Sequence, residues 1–176
     1  MHQRGLTLVE LLATLTILGI LFHLAAPAFR GLVDQNRQQV TTTELLDTLK
    51  AARTTAIQRN QSVIVQPLQG DWGCGWRIIA DVSGRGLADP DNPVLVVRQK
   101  SGAVRVMPGF RFREWVRFNG LGVPSYAGGG LGNGSLYVCD GMTGAMHRRV
   151  VVAPVGRLHL SDSPGDSGDL CLSRSS

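Results

Sequence analysis

The chain has 176 residues, of which 43% are hydrophobic and 18% are charged, and these proportions fit one globular domain with an appendage. The net charge of +5 would suit an anionic partner, but similar basicity is common among exported domains and identifies no partner class. No Ser/His/Asp motif, paired-carboxylate signature or His/Glu metal motif stands out, so the sequence predicts a protein that is not an enzyme and needs no cofactor. The three cysteines lack C-x-x-C spacing, which argues against a zinc site.

The first predicted element is an apolar helix near the N-terminus. The run from Leu11 to Phe29 contains no charged residue and is rich in Leu, Ile, Ala and Thr. At about 1.5 Å per residue this run covers roughly 28 Å, close to the ~30 Å hydrocarbon core of a bilayer. We therefore predict a membrane-spanning helix over residues 6–29, in which Thr14 and Thr16 bond back to helix carbonyls.

Residues 1–12 carry an export signal with two unusual details. A basic stub precedes the apolar run, as in any bacterial export signal. Glu10 lies inside the apolar run, where a carboxylate costs about 3 kcal/mol at membrane depth and usually marks function. Gly5 comes before the apolar run rather than after it. The alternatives are an ordinary secretory signal cut after residues 26–28 and a plain membrane anchor.

The segment from Gly5 to Leu12 reads G-L-T-L-V-E-L-L and resembles the class III signal, G-F-T-L-x-E, of type IV pilins and type II secretion pseudopilins. The resemblance implies that a membrane prepilin peptidase cuts between Gly5 and Leu6 and methylates the new N-terminus of Leu6. Residues 1–5 would then be the leader peptide. Leu6 replaces the commoner phenylalanine, a departure that keeps an apolar first residue. Pro27 falls where the family often has a helix-kinking proline.

Under this resemblance, Glu10 becomes the fifth residue of the mature chain. An uncompensated carboxylate in apolar surroundings is costly, but the new α-amino group of Leu6 on a neighbouring subunit could pair with it. Such a pair would set the register between subunits, so Glu10 is predicted to serve filament assembly. Residues 6–29 would then form the filament core as well as the membrane anchor.

Helical patterning continues beyond the apolar run. An apolar stripe recurs at three- and four-residue spacing, at Leu45, Leu49, Ala52 and Ala56. We predict one long helix from about Thr7 to Arg59, of which residues 30–60 form an amphipathic half that packs on the globular domain.

After Asn60 the pattern changes to short β-type runs separated by Gly, Pro, Asn and Asp. The predicted strands are Ser62–Leu68, Trp76–Val82, Val94–Gln99, Ala103–Met107, Glu114–Asn119, Ser135–Cys139, Arg148–Ala153 and Arg157–Leu160. The polar stretch 161–176 is expected to be irregular. The predicted fold class is α+β, with a long N-terminal helix packed on a mostly antiparallel β-rich domain over residues 61–176.

The later segments are similar to the FimT/FimU/GspH group of minor pilins. The similar segments are, in chain order, Ala51–Gln61, Gly75–Asp81, Asp89–Leu95, Arg117–Gly122, Leu136–Cys139 and Val150–Arg157. The resemblance implies a type IV minor pilin that helps to initiate or cap a filament, with other major and minor pilins as partners. It implies an inner-membrane protein with a periplasmic C-terminal domain that later joins a filament at the cell surface. The alternative is a GspH-like pseudopilin of a type II secretion system.

Export favours a disulfide among Cys74, Cys139 and Cys171. A bridge between Cys139 and Cys171 would pin the polar tail, and closing a loop of that length would contribute about 3–4 kcal/mol in the chain-entropy model. Cys74 would remain as a free thiol. Two reduced cysteines are the alternative.

A basic segment near the C-terminus resembles a DNA-binding motif. Gly156-Arg157-Leu158-His159 is similar to the G-R-x-R motif through which some FimT proteins of naturally competent bacteria bind DNA. His159 replaces the second arginine, and histidine is mostly neutral near pH 7. Arg148 and Arg149 could supply further charge for non-specific contacts with the phosphates of double-stranded DNA. The alternative is a solvated strand edge with scattered arginines.

One acidic segment resembles a calcium loop. It contains Asp81, Asp89 and Asp91 together with Gly84 and Gly86, but their spacing departs from the EF-hand pattern. We therefore predict an acidic turn at this position.

Overall fold

The computed structural model describes residues 8–139 and 147–162 together with Cys171. The predicted leader and cleavage site, with Gly5 and Leu6, lie outside the described residues. The chain divides into two compact units, residues 1–36 and residues 37–176.

One helix, α1, extends from Leu8 to Arg59 and ends where the sequence predicts. Asn60 follows it in the left-handed conformation, with φ at 47°, and the amide of Gln61 donates to the carbonyl oxygen of Ala56 at 3.0 Å. A left-handed residue directly after the last turn is a common way to satisfy the final helix carbonyls. The helix therefore ends through local backbone geometry before the first strand begins.

The first unit has an apolar helical surface. Every Leu, Ile, Val and Phe side chain from Leu8 to Phe22 is more than half exposed. The hydroxyls of Thr14 and Thr16 donate at 2.8 Å to carbonyls three and four residues earlier, which confirms the prediction for these threonines. Among the residues that the structure describes, no helix combines the length and apolar character needed to cross a membrane, so the membrane-spanning prediction for residues 6–29 is not confirmed.

The second unit contains two antiparallel sheets. Its described strands are β1 (Ser62–Leu68), β2 (Asp71–Asp81), β3 (Val94–Gln99), β4 (Val106–Pro108), β5 (Val116–Phe118), β6 (Pro124–Ser125), β7 (Gly134–Val138), β8 (Arg148–Val152) and β9 (Leu158–Asp162). One sheet has the order β3-β2-β1-β5-β6 and the other has the order β4-β7-β8-β9. The long N-terminal helix and the antiparallel sheets confirm the predicted α+β fold class.

The predicted and observed strand bounds agree best where an extended run is uninterrupted, as in β1 and β3. The largest difference is in β2, which begins at Asp71 rather than at Trp76. Its pairing with β1 shifts register between Pro67 and Leu68, so residues 72–75 form an irregularity within the strand. The glycines of this stretch are typical of turns. The sequence pattern therefore predicts a start of β2 that is too late.

Gly75 shows why this irregular stretch needs glycine. Its φ is 113°, and a Cβ atom there would overlap the backbone carbonyl of Arg98 on β3. The absence of a side chain lets the two strands approach. No prediction covers β6, because two residues, Pro124 and Ser125, are too few to show a periodic pattern.

The core of the second unit includes the apolar stripe of α1. Leu45, Leu49, Ala52 and Ala56 are fully buried, as their spacing predicts. They belong to one hydrophobic cluster with side chains from both sheets, which include Val63, Val65, Trp76, Ile78, Leu136, Val138, Val150 and Val152. The helix and the two sheets therefore share a single core.

Two buried tryptophans find hydrogen-bond partners in this core. The indole Nε1 of Trp76 donates to Oγ1 of Thr48 on α1 at 2.9 Å, and the indole Nε1 of Trp72 donates to the carbonyl oxygen of Phe112 at 3.0 Å. The Thr48 hydroxyl itself donates to the carbonyl oxygen of Glu44 at 2.7 Å. A buried indole N–H without an acceptor is unfavourable, so the bond from Trp76 to Thr48 fixes β2 against the helix.

The connection from β2 to β3 is organised by the buried carboxylate of Asp81. Its Oδ1 accepts hydrogen bonds from the amide of Gly86 at 2.9 Å and from Nδ2 of Asn92 at 3.4 Å. Its Oδ2 lies 2.7 Å from Nη2 of Arg117 on β5. The side chain of Asp81 is 0% exposed, so the guanidinium compensates a charge that would otherwise be costly to bury.

Asp89 stabilises the outer part of the same connection. Its Oδ1 accepts a hydrogen bond from the amide of Asp91 at 3.0 Å. A hydrogen bond from the Ser83 side chain, together with that from the Asp91 backbone, lowers the pKa of the Asp89 carboxyl. These contacts are those of the predicted acidic turn.

Replacing Thr48 with valine is expected to lower the free energy of unfolding by about 1–3 kcal/mol, because the indole of Trp76 loses its acceptor while the side-chain shape is kept. Thr43→Val is the matched control, since the Thr43 hydroxyl donates to the Gln39 carbonyl of its own helix and the side chain is exposed. Urea denaturation of a fragment that begins at Gly31 measures both variants. Equal losses in the two variants would contradict a role for this bond in holding the helix.

Candidate functional site

Glu10 lies on the apolar part of α1. Its side chain is exposed, and no other Asp, Glu, Lys or Arg occurs from Leu8 to Phe22. This surface can pack against other apolar helices, and Glu10 places one carboxylate on it. The predicted partner, the α-amino group of Leu6 from another subunit, lies outside the described residues.

The structure joins Cys139 to Cys171 in a disulfide, with their Cα atoms 5.7 Å apart. Cys139 follows β7, and its amide donates to the carbonyl oxygen of Arg105 at 2.8 Å. Nη1 of Arg105 in turn donates to the carbonyl oxygen of Cys171 at 2.9 Å. The bridge and the arginine together hold residue 171 beside the four-stranded sheet, and Cys74 is a half-buried free cysteine.

His147 lies beside this disulfide. The side chains of Cys139, His147 and Cys171 are buried, and their possible ligand atoms lie within 4.8 Å of one another. Metal binding requires cysteine thiolates, and both sulfurs are engaged in the disulfide. In this oxidised state the three residues form a structural cluster.

The four residues of the predicted DNA-binding set occupy three positions. Arg149 and His159 share the outer face of the four-stranded sheet, where Arg149 pairs with Ser161 and Val151 pairs with His159. The Arg149 guanidinium carbon lies 6.0 Å from the ring centre of Tyr137, and Nη2 donates to Oγ of Ser161 at 3.4 Å. The contact with Tyr137 and the bond to Ser161 orient the half-buried side chain of Arg149.

Arg148 and Arg157 lie elsewhere. Arg148 shares its face of β8 with Val150 and Val152, which are fully buried, because side chains alternate along a strand. Arg157 is exposed and directly precedes β9. The structure thus brings Arg149 and His159 together and separates Arg148 from them by the sheet itself.

The close packing around residue 156 explains why a glycine stands directly before Arg157. Its φ is 78°, and a Cβ atom there would overlap the carbonyl oxygen of Gly122 and lie 2.7 Å from Nε of Arg53. Arg53 on α1 donates from Nε to that same Gly122 oxygen at 3.1 Å. A glycine at 156 therefore allows the turn between β8 and β9 to pack against Gly122 and the helix, and this packing positions Arg157.

This packing forms a cleft that the sequence does not predict. The cleft, called the basic cleft below, has a volume of about 270 Å³ and is lined by Lys50, Arg53, Thr54, Gly156, Arg157 and Leu158. In the sequence, Lys50 and Arg53 belong to the polar side of an amphipathic helix, and nothing there relates them to Arg157. Only the tertiary fold places these cations together.

Replacing Gly156 with alanine is expected to destabilise the second unit more than the same change at Gly129. Both glycines have φ near 78°, so both variants incur about 1–2 kcal/mol for a left-handed alanine. A Cβ atom at Gly129 meets no atom within 4 Å, whereas one at Gly156 overlaps Gly122 and adds about 1–3 kcal/mol. Denaturant unfolding measures both, and equal losses would refute the packing role of Gly156.

Comparisons with known families cover most of the chain. Residues 41–156 match the profile of the family described as Type II transport protein GspH. Residues 1–26 match the profile of the prokaryotic N-terminal methylation motif. A search of curated protein sequences found no significant match.

Two crystal structures of the type IV minor pilin FimU of Pseudomonas aeruginosa strain PAO1 are similar to this chain. One has 20% identity and a TM-score of 0.57, and the alignment covers 72% of this chain and 90% of that one. The other has 22% identity and a TM-score of 0.54, with 70% and 91% covered. These likenesses show a shared fold, and the GspH profile covers more than half of the chain. The chain therefore belongs to the GspH family, carries the prokaryotic N-terminal methylation motif, and is a structural rather than an enzymatic protein.

Proposed function

We propose that this protein is a minor pilin of a type IV pilus and helps to initiate or cap the filament. The observation that carries the proposal is the exposed apolar surface of α1 with Glu10 on it, in a chain that has the N-terminal methylation motif. Large exposed apolar surfaces on a protein commonly mark an interaction site. The structural likeness to a type IV minor pilin supports this role, and a GspH-like pseudopilin of a type II secretion system is the alternative.

Processing follows from the same N-terminal motif. Prepilin peptidase cuts between Gly5 and Leu6, and the mature chain begins with N-methylated Leu6. The motif supports anchoring in the inner membrane before assembly, with residues 61–176 on the periplasmic side. The partners after processing are other major and minor pilins.

Glu10 sets the register between neighbouring subunits in this proposal. In a filament core, the apolar side chains around Glu10 would exclude water, and a carboxylate there needs a compensating cation. The α-amino group of Leu6 on the next subunit supplies that cation. The pair forms only at one axial offset, so an ionic contact selects the position of a helix that apolar packing alone would leave free to slide.

Glu10→Ala is expected to insert in the membrane but to be absent from sheared filaments, because the register contact is lost. Thr14→Val is the matched control, since the Thr14 hydroxyl bonds within its own helix. Immunoblots of sheared pili measure incorporation, and intact mass spectrometry tests for a chain that begins at methylated Leu6. Normal incorporation of Glu10→Ala would refute the register role, and an intact Met1 would refute the processing.

A second proposed activity is non-specific binding of double-stranded DNA. Arg149 and His159 favour it, because they share the outer face of the four-stranded sheet and Arg149 is oriented by Tyr137. Cationic side chains on such a face can contact phosphates without reading sequence.

If this face binds DNA, Arg149→Ala should lower the slope of log affinity against log salt by about 0.9, the value for one lost phosphate contact. His159→Arg should strengthen binding at neutral pH, because it adds a permanent charge. Arg98→Ala is the charge-matched control, since Arg98 is exposed on β3 of the other sheet. Fluorescence anisotropy with duplexes of unrelated sequence measures all four proteins, and no binding by the wild type at low salt would refute this activity.

A further inference from the structure

The basic cleft brings three cations together. Lys50, Arg53 and Arg157 line it, and no carboxylate among the described residues does so. Lys50 lies 3.9 Å from Asp47, but both side chains of that pair are more than half exposed, and such pairs contribute little. The Arg157 side chain makes no ion pair or hydrogen bond with any residue that the structure describes. Cations gathered in this way repel one another until an anion neutralises them.

Part of the basic cleft is already rigid. The hydrogen bond from Nε of Arg53 to the Gly122 carbonyl fixes the guanidinium and leaves its four other N–H donors. The close packing of Gly156 on Gly122 fixes the backbone next to Arg157. A site that is ordered before its ligand arrives loses less entropy on binding.

The chemistry of these groups selects an oxyanion. The planar arginine fork matches two oxygens of a phosphate group, and lysine adds a point charge. The hydroxyl of Thr54, an exposed lining residue, offers a neutral donor. The volume of about 270 Å³ leaves room for a phosphate group with part of a larger molecule attached.

We propose that the basic cleft is a phosphate-binding site in which Lys50, Arg53 and Arg157 contact the oxygens of one phosphate group. A nucleic-acid backbone and free inorganic phosphate are the two sources of this chemistry. The site differs from the sheet face that carries Arg149 and His159, and its phosphate binding does not depend on DNA binding by that face.

Residue-specific protection by inorganic phosphate tests the site. The full-length chain, held in a non-ionic detergent, is acetylated at lysines or treated with phenylglyoxal at arginines, and peptide mass spectrometry follows each residue. Bound phosphate should slow modification of Lys50 and Arg157 by the factor 1 + [phosphate]/Kd, about elevenfold at ten times Kd. Sodium chloride at equal ionic strength controls for screening, and the exposed Arg98 on β3 controls for general effects.

Lys50→Gln gives the variant test, because an exposed helix position tolerates glutamine without loss of fold. Phosphate should protect Arg157 much less in this variant than in the wild type. Arg98→Gln should leave the protection of Arg157 unchanged. Equal protection of Arg98 and Arg157, or full protection of Arg157 in Lys50→Gln, would overturn the proposal.

The same measurement with duplex DNA identifies the source of the phosphate. Protection by DNA, together with a fall of about 0.9 in the salt slope of Lys50→Gln, would assign the cleft to a nucleic-acid backbone. Protection by inorganic phosphate alone would assign it to the free ion, even if the Arg149 face binds no DNA. Protection by neither ligand would show that the cleft is not a phosphate site.

Discussion

The buried stripe of α1 from Leu45 to Ala56 is the contact on which both sheets depend. Side chains from β1 and β2 and side chains from β7 and β8 belong to the same hydrophobic cluster as this stripe. The hydrogen bond between Trp76 and Thr48 adds a directional contact to this burial. At the start of the second unit, Nε2 of Gln38 donates to the carbonyl oxygen of Val138 at 3.0 Å, so α1 also holds the end of β7 beside the disulfide. The helix therefore determines where each sheet lies within this unit.

Local patterns account for the parts of the fold that the sequence predicts. The stripe of α1 and the strands β1 and β3 each show their period within one continuous run, and the N-terminal motif is likewise contiguous. The early start of β2 and the short β6 were not predictable, because glycine and proline resemble turn residues until their partner strands are known. The division of Arg148, Arg149 and Arg157 among three positions depends on strand register and tertiary packing, which no local pattern records.

Several arginine side chains of this protein are engaged in structural contacts and are therefore less available to a ligand. Arg117 neutralises the buried Asp81, Arg53 holds the loop at Gly122, and Arg105 holds Cys171. The net charge of +5 therefore overstates the positive charge that is available to an anionic partner. The sheet face that carries Arg149 and His159 is a separate surface from the basic cleft, so a polyanion that engages one of them does not necessarily engage the other.

The order of the strands also determines which strands lie at the sheet edges, where another copy of the domain could pair. The outer strands of the two sheets in the described chain are β3, β4, β6 and β9. Two of them, β4 and β6, have three and two residues and include Pro108 and Pro124, so they offer little unpaired backbone to another chain. The longer β3 and β9 carry the charged and exposed side chains of Arg98 and Asp162. Short, proline-bearing and charged edge strands disfavour edge-to-edge pairing between copies of this domain.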